Sequence, residues 1–245
     1  MGRDYKVSVA VATYNGEDYI KEQLESILIN LEENDEVIIS DDGSTDGTLD
    51  IVKKINDKRI SVIAGPKKGV IKNFENAIKK CKGKYIFLSD QDDIWMKNKV
   101  NEICNIFENE KVRCIVHDAE IVNEDATEII NMSYFKFRNT KPGKLRNFIK
   151  PSYLGCCMAF NKEMCKYLLP FPEGIEMHDR WIGSICDVFD TVKFYEKKLI
   201  KYRRHKNNVS RMKRNKIITI LKNRVILFNL LIKRKKECRN LHRRD

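Results

Sequence analysis

The feature that most constrains this chain is an alternation of two periodicities across its first third. Residues 7–12 form a nearly continuous apolar run, as a strand buried on both faces requires, and Tyr19, Ile20, Leu24, Ile27 and Leu28 then recur at helical spacing within residues 17–30. The pattern repeats. Residues 37–39 lead into Asp41-Asp42-Gly43-Ser44-Thr45-Asp46-Gly47 and a helix through Ile51 and Ile55, followed by the run 60–63, a helix from about Val70, and the run 85–88. Such alternation predicts an α/β fold, a parallel sheet covered by helices. In open sheets of this kind ligands bind beyond the carboxyl ends of the strands, so the loops TYNGED, DDGSTDG and DQDD should converge.

Those loops are rich in acids and poor in cations. Asp90, Asp92 and Asp93 place three carboxylates in four residues directly after an apolar run. Groups so close repel one another and stay ionised only beside compensating charge, most simply a divalent cation that prefers oxygen ligands. Taken alone, the same segment reads first as an acidic turn at a strand end, and the other loops are what turn the reading towards a metal. No G-x-G-x-x-G or G-x-x-x-x-G-K-[ST] pattern occurs, which excludes a dinucleotide fingerprint and a phosphate-cradling loop. Phosphates here would need a metal. Asp41 and Asp42 could accept hydrogen bonds from a base N–H and a ribose hydroxyl, with Tyr14 offering a face for stacking. Structurally, DDGSTDG is also a strand-to-helix loop with Asp46 or Ser44 as cap.

The charge is unevenly spread. The 245 residues, 42% of them hydrophobic, suffice for one large domain with an appendage, and the formal charge is +12. From Lys201 onward 17 Lys/Arg face only Glu237 and Asp245, which leaves 30 basic against 33 acidic residues before it. A slightly acidic body argues against a nucleic-acid-binding core and moves the basic signal to the tail, where an anionic membrane surface or nucleic acid could be the partner. In that tail Ile217, Ile218, Leu221, Val225, Phe228, Leu231 and Ile232 recur at helical intervals among Lys213, Arg214, Lys216, Lys222, Arg224 and residues 233–236. This predicts a basic amphipathic helix. Its apolar runs, 225–228 and 230–232, fall far short of the roughly 20 residues a membrane span needs, so it should lie on a membrane or pack on the body. In the second case Ile217, Leu221, Val225 and Phe228 would be core.

The eight cysteines are scattered through apolar surroundings with no Cys-x-x-Cys pair, and read as small buried hydrophobes in a reducing compartment. The amino terminus runs straight into a strand with no apolar signal segment, and Lys6 stands where a myristoylated Met-Gly start would carry Ser or Thr. Residence in the cytoplasm is the expectation, peripheral on the inner face of the cell membrane if the tail binds lipid.

The order of VSVAVATYNGEDY, EVIISDDGSTDGT, KYIFLSDQDDIW, MHDRW and YRRHKNNVS resembles the family 2 glycosyltransferases over roughly residues 5–210, and the D-Q-D-D-x-W variant is similar to the rhamnosyltransferase-like enzymes of bacterial surface polysaccharides. The resemblance implies an A-type transferase with a Rossmann-like catalytic domain at 1–210, its nucleotide-sugar half at 1–110 and acceptor half at 111–210, followed by the helical tail at 211–245. It implies an inverting reaction dependent on Mg2+ or Mn2+. The donor would be a dTDP- or UDP-linked sugar, with L-rhamnose the named candidate, and the acceptor an oligosaccharide or lipid-linked glycan. No nucleic acid is implied. The alternatives are the same fold with a UDP-hexose donor, or a non-catalytic nucleotide- or nucleic-acid-binding module.

Carried over residue by residue, Thr13, Tyr14 and Asn15 would line the base pocket with Glu17 nearby, Asp41 would contact the pyrimidine, and Asp42 the adjoining nucleoside. Asp90 and Asp92 would fill the metal motif, Asp92 coordinating directly and Asp90 nearer the ribose and sugar, with Gln91 on the donor and Asp93 in support. The Arg-Asn pair that many members carry is replaced by residues 69–74, where Lys72 or Asn73 would touch the donor or Phe74 would pack in the core. Residues 153–160 resemble the acceptor wall, through Gly155 and Cys156, and Trp181 would join it. Asp179, a helix cap by local pattern, becomes the candidate base by its place in the family order. His205, with Arg203 or Arg204, would close over the diphosphate or ligate the metal beside a strand-like hairpin at 192–195. His117 and His178 read as structural or surface residues, and His242 as part of the basic tail.

Overall fold

The computed structural model describes residues 3–189, 191–206, 208 and 217–241. Its first half follows the alternation read from the sequence: β1 (Val7–Thr13), α1 (Ile20–Leu28), β2 (Glu36–Asp41), α2 (Thr48–Ile55), β3 (Ile60–Ala64), α3 (Val70–Lys80) and β4 (Tyr85–Ser89). Every residue of β1, β2 and β4 is buried because helices cover both faces, which explains why those segments are apolar runs and not alternating patterns. β1 pairs in parallel with β2 and β4, and β2 with β3. The register sets Thr13 beside Asp41 and Asp41 beside Ala64, while Ser89 lies two residues lower beside Val11. The two residues after β4, Asp90 and Gln91, therefore rise to the level of Thr13.

The second half is β5 (Ile94–Trp95), α4 (Lys99–Asn109), β6 (Cys114–Val122), β7 (Ile129–Asn131), α5 (Tyr134–Arg138), α6 (Lys144–Ile149), β8 (Met158–Asn161), α7 (Cys165–Leu168), α8 (His178–Val188), β9 (Val192–Arg203) and α9 (Ile217–Leu241). Strand order is β3-β2-β1-β4-β8-β6-β9-β5, with β7 on the flank of β6. β8 runs antiparallel between β4 and β6, so the sheet is mixed though mostly parallel. Residues 192–195 do not form a hairpin: they begin one 12-residue strand parallel to β6, in which Leu199, Ile200 and Tyr202 keep the chain buried up to Arg203. That length carries Arg203 to the same end of the sheet as Asp92. All eight cysteines are free and all but Cys165 are buried.

α9 packs on the body, though not through the residues the sequence suggests. Leu227, Arg234 and Cys238 are buried. The Arg234 guanidinium donates to the carbonyls of Tyr167, Leu169 and Pro170 and lies 5.3 Å from the centre of the Trp181 ring. Ile217, Leu221, Val225 and Phe228 face solvent instead of the core. The boundary at 210 and the cations Lys213, Arg214 and Lys216 lie outside the described residues, as does His242. Among the described residues no helix is long and apolar enough to cross a membrane.

Candidate active site

Three loops meet at the carboxyl end of the sheet and hold one another through side-chain to backbone hydrogen bonds. Gln91 clamps the first to the third: its Oε1 accepts from the Thr13 hydroxyl at 2.6 Å and the Tyr14 amide at 2.8 Å, and its Nε2 donates to the Tyr14 carbonyl. Asn15 ties the first to the second, its Oδ1 accepting from the Thr45 amide and its own amide donating to Ser44 Oγ. It does so from the left-handed region, φ 48°, which Asn tolerates better than most residues. Glu17 accepts from the Gly47 amide, and Asp46 accepts from the Thr48 amide and hydroxyl; the cap position of α2 is Gly47, so neither Asp46 nor Ser44 is the cap. Asp41 is turned into its own loop, with Oδ2 accepting from the amides of Gly43 and Ser44. Asp42 accepts from the amides of Lys68 and Gly69. Tyr14 remains exposed, with a ring face open to stacking.

Asn73 is buried and its Nδ2 donates to the carbonyls of Thr13 and Ser40, joining the ends of β1 and β2 from beneath. Lys72 turns away, to Glu75, Glu173 and the carbonyl of Phe171.

The acidic cluster divides in two. Asp90, Asp93 and Cys156 each offer a ligand atom within 4.8 Å of the others. Burial, then the charges of Asp92, Asp93 and Asp179, push the Asp90 carboxyl well above the usual range. Burial and Asp92 push Asp93 up to about 7, although its Oδ1 accepts from the Arg203 amide. Its Oδ2 is buried and, the nearby Cys156 thiol apart, meets no hydrogen-bond partner among the described residues. Asp92 points elsewhere: its Oδ2 lies 2.7 Å from His205 Nε2 and 3.3 Å from Asn208 Nδ2, both on the loop after β9. The ring of His205 stacks on Tyr19 with centroids 4.6 Å apart, and the Tyr19 hydroxyl donates to Glu124. Arg203 is buried behind this loop and donates to the carbonyls of Asp92 and Glu124 and to Glu22. It braces the acidic loop from within the protein.

Asp92 Oδ2 against the His205 imidazole pairs an oxygen with a nitrogen donor suited to a hard or borderline divalent cation, and the crowded carboxylates of Asp90 and Asp93 with the Cys156 thiol form a second donor group behind it. The residues present therefore fit Mg2+ or Mn2+.

Asp179 comes from the second half of the chain, near enough to Asp90 for its charge to act on it. It sits in the first turn of α8, whose cap position is Met177, so it is not the cap; its Oδ1 accepts from the Arg180 amide. Burial raises its carboxyl to about 6 against the opposing charge of Arg180, and its charge reaches Asp90. His178 beside it is buried against the ring of Phe74, centroids 4.0 Å apart, and burial holds it neutral by lowering it to about 3. Gly155 makes room for that ring: a Cβ there would lie 2.6 Å from His178 Nε2. Cys156 is wholly buried against the acids, and Trp181 is buried with its indole donating to the Leu168 carbonyl.

Sequence reasoning gave no role to Lys99, Tyr19 or Asn208. Lys99 is wholly buried, donating to the Cys156 carbonyl at 3.0 Å with its ammonium over the Trp95 ring, and burial lowers it to about 8. A lysine within an apolar helical stripe was the available signal. For Asn208 it was the R-R-H-x-x-N spacing. The buried His117 is also held neutral, by burial and by Lys99.

The family described as Glycosyl transferase family 2 matches residues 8–169, a stretch that includes all three loops and ends before Asp179. A UDP-Glc:alpha-D-GlcNAc-diphosphoundecaprenol beta-1,3-glucosyltransferase of Escherichia coli, WfaP, is 42% identical over 107 residues, 43% of this chain and 43% of that protein. The dTDP-rhamnosyl transferase RfbG of Shigella flexneri is 40% identical over 109 residues, 40% of this chain and 38% of that protein. The chain thus spans less than half the length of these curated relatives. The crystal structure of residues 1–349 of S. aureus TarS in complex with UDP-GlcNAc shares the fold, with a TM-score of 0.70 at 20% identity over 91% of this chain and 66% of that one.

Proposed function

The chain belongs to glycosyl transferase family 2, and from that premise we propose that it transfers a sugar, with inversion, from a pyrimidine nucleoside diphosphate to a lipid-linked or oligosaccharide acceptor of a bacterial surface glycan. The observation that carries this reading is the gathering of acids from the two halves of the chain: Asp92 beside His205, and Asp179, raised to about 6, near enough to Asp90 for its charge to act on it.

A sugar hydroxyl is a poor nucleophile. Asp179, half-buried and ionised at neutral pH, takes its proton as the oxygen attacks the anomeric carbon from the face opposite the leaving nucleoside diphosphate. Inversion follows from that geometry. Asp92 and His205 would hold Mg2+ or Mn2+, with Asp90 in the neighbouring cluster of Asp93 and Cys156, and the ion would supply Lewis-acid stabilisation of the departing diphosphate. Thr13, Asn15, Glu17, Asp41 and Asp42 shape the nucleoside pocket chiefly by fixing the loops, Tyr14 stacks on the base, and Gln91 sets the donor loop against the metal loop. Arg203 positions Asp92 and Asp93, and Gly155 positions the turn that meets Asp179.

Two donors follow from the relatives, UDP-glucose and dTDP-rhamnose, both pyrimidine nucleotides. Nucleotide-sugar hydrolysis and transfer over a donor panel, with and without Mn2+, tests the reading. Metal-dependent turnover of one pyrimidine donor is the expected result, and a panel inert under every condition would overturn it.

A further inference from the structure

α9 carries two apolar faces. At about 100° per residue, Leu227, Leu230, Leu231, Arg234 and Cys238 share the face seated on the body. Ile217, Ile218, Leu221, Val225, Phe228 and Ile232 fall within one arc of about 100° on another face, and all six are between 39 and 81% exposed. α6 lies alongside, its Phe148 ring 6.2 Å from that of Phe228 and its Ile149 carbonyl accepting from Arg224. It adds Leu145 and Ile149, 74 and 61% exposed. An apolar surface this continuous marks an interaction site.

Charge selects the occupant. Seven Lys/Arg lie on α9 against a single acid, Glu237, which is already paired with Arg234. Lys222 and Lys233 project near one edge of the apolar stripe, and Lys235 and Lys236 continue beyond its last turn. A second copy of this chain would set those cations against their equivalents. An anionic surface receives both the apolar stripe and its basic edge.

We propose that the exposed face of α9, with Leu145 and Ile149 of α6, docks on an anionic lipid bilayer with the helix lying in the plane of the interface. The same helix reaches the base: Arg224 pairs with Glu176 at 3.2 Å, and Glu176 also holds Arg180, the neighbour of Asp179. Docking thereby sets the acceptor half against the membrane. That last step rests on the proposed function, because a lipid-linked acceptor is presented at the bilayer.

The test is co-sedimentation of the full chain with phosphatidylglycerol-containing and pure phosphatidylcholine vesicles, at low and high salt, beside donor hydrolysis in solution. The wild type should sediment with the anionic vesicles and release as salt screens the charges. Ile218→Gln/Leu221→Gln/Val225→Gln, all at exposed positions, should bind about tenfold or more weakly, with unchanged melting and unchanged hydrolysis. Lys222→Gln/Lys233→Gln/Lys236→Gln should lose the preference for anionic lipid. No sedimentation of the wild type, equal binding of wild type and the apolar triple variant, or equal binding to both vesicles regardless of salt would each overturn the proposal. So would a dimer in solution that the apolar variant dissociates, which would give the face to a second copy. Failure of hydrolysis alone would overturn the transferase reading and leave the docking result standing.

Discussion

Nε2 of His205 lies 2.7 Å from Oδ2 of Asp92, across 113 positions of sequence, because β9 runs unbroken from Val192 to Arg203 and delivers the following loop over the acidic turn. Neither residue is a metal site alone. Together they set an oxygen and a nitrogen donor at one point, and the Asn208 amide, donating to the same Asp92 oxygen at 3.3 Å, orients the carboxylate.

Asp92→Asn should therefore abolish most transfer and weaken binding of nucleoside diphosphate with Mn2+ by about tenfold or more. Melting without ligand should hold or rise, since the substitution removes a charge that pushes both Asp90 and Asp93 towards protonation. Calorimetry with and without Mn2+, alongside a thermal melt, reads both effects. A fully active variant, or equal activity in chelator, would sink the assignment.

With Asp179 as the proposed base, transfer should depend on pH in one direction. Burial raises its carboxyl to about 6, so the ionised form is lost as pH drops through 6, and transfer should fall with it. The stability effect has the opposite sense. A carboxyl raised in the fold favours the protonated state, so folding is unpenalised below the ordinary carboxylate range and penalised once pH exceeds about 6. Asp179→Asn should remove that penalty, stabilising the protein at pH 8 by on the order of 1 kcal/mol after allowance for partial exposure. It should cut transfer about a hundredfold with donor affinity within a few-fold. Loss of donor binding with transfer intact at saturating donor would make Asp179 a nucleotide ligand.

Gly155 tests the other wall. A methyl group there would press on His178 Nε2 from 2.6 Å, and His178 opens the helix that carries Asp179. Gly155→Ala should displace that first turn, lowering kcat by roughly tenfold at a folding cost of about 1–3 kcal/mol, while donor KM stays near wild type. Unchanged kcat with unchanged melting would mean that the His178 ring yields freely.

The donor side was legible because parallel strands deliver their loops to one end of a sheet, and three apolar runs announced those strands. What Asp41 and Asp42 bind was not legible. In tight loops a carboxylate finds backbone amides as readily as it finds a ligand, and both residues accept amides from their own or the adjoining loop. The second half resisted for a different reason: β8 enters the sheet antiparallel between β4 and β6, a choice made by long-range pairing. Lys99 and Trp181 are settled by what packs around them, a carbonyl and a ring for the lysine, Arg234 and the Leu168 carbonyl for the tryptophan. On α9 the apolar residues were visible, but two faces of one helix share them, and periodicity does not say which face meets the body.

That division of α9 decides what its removal does. Ending the chain at Arg211 would uncover the surface that Leu227, Leu230, Leu231 and Cys238 cover, and would leave the carbonyls of Tyr167, Leu169 and Pro170 without the Arg234 guanidinium beside the buried Trp181. Partial burial of four apolar side chains and three hydrogen bonds to a charged donor together contribute on the order of 5 kcal/mol. The truncated chain should melt at markedly lower temperature and aggregate on size-exclusion chromatography, and Arg234→Met should show a smaller loss of about 2 kcal/mol from the lost guanidinium hydrogen bonds. Because Arg224 and Glu176 join α9 to the turn bearing Asp179, whatever truncated protein stays folded should lose transfer before it loses donor binding. A truncation that melts like the full chain and transfers at the same rate would show that α9 carries no part of the body's stability and leaves the base in place without it.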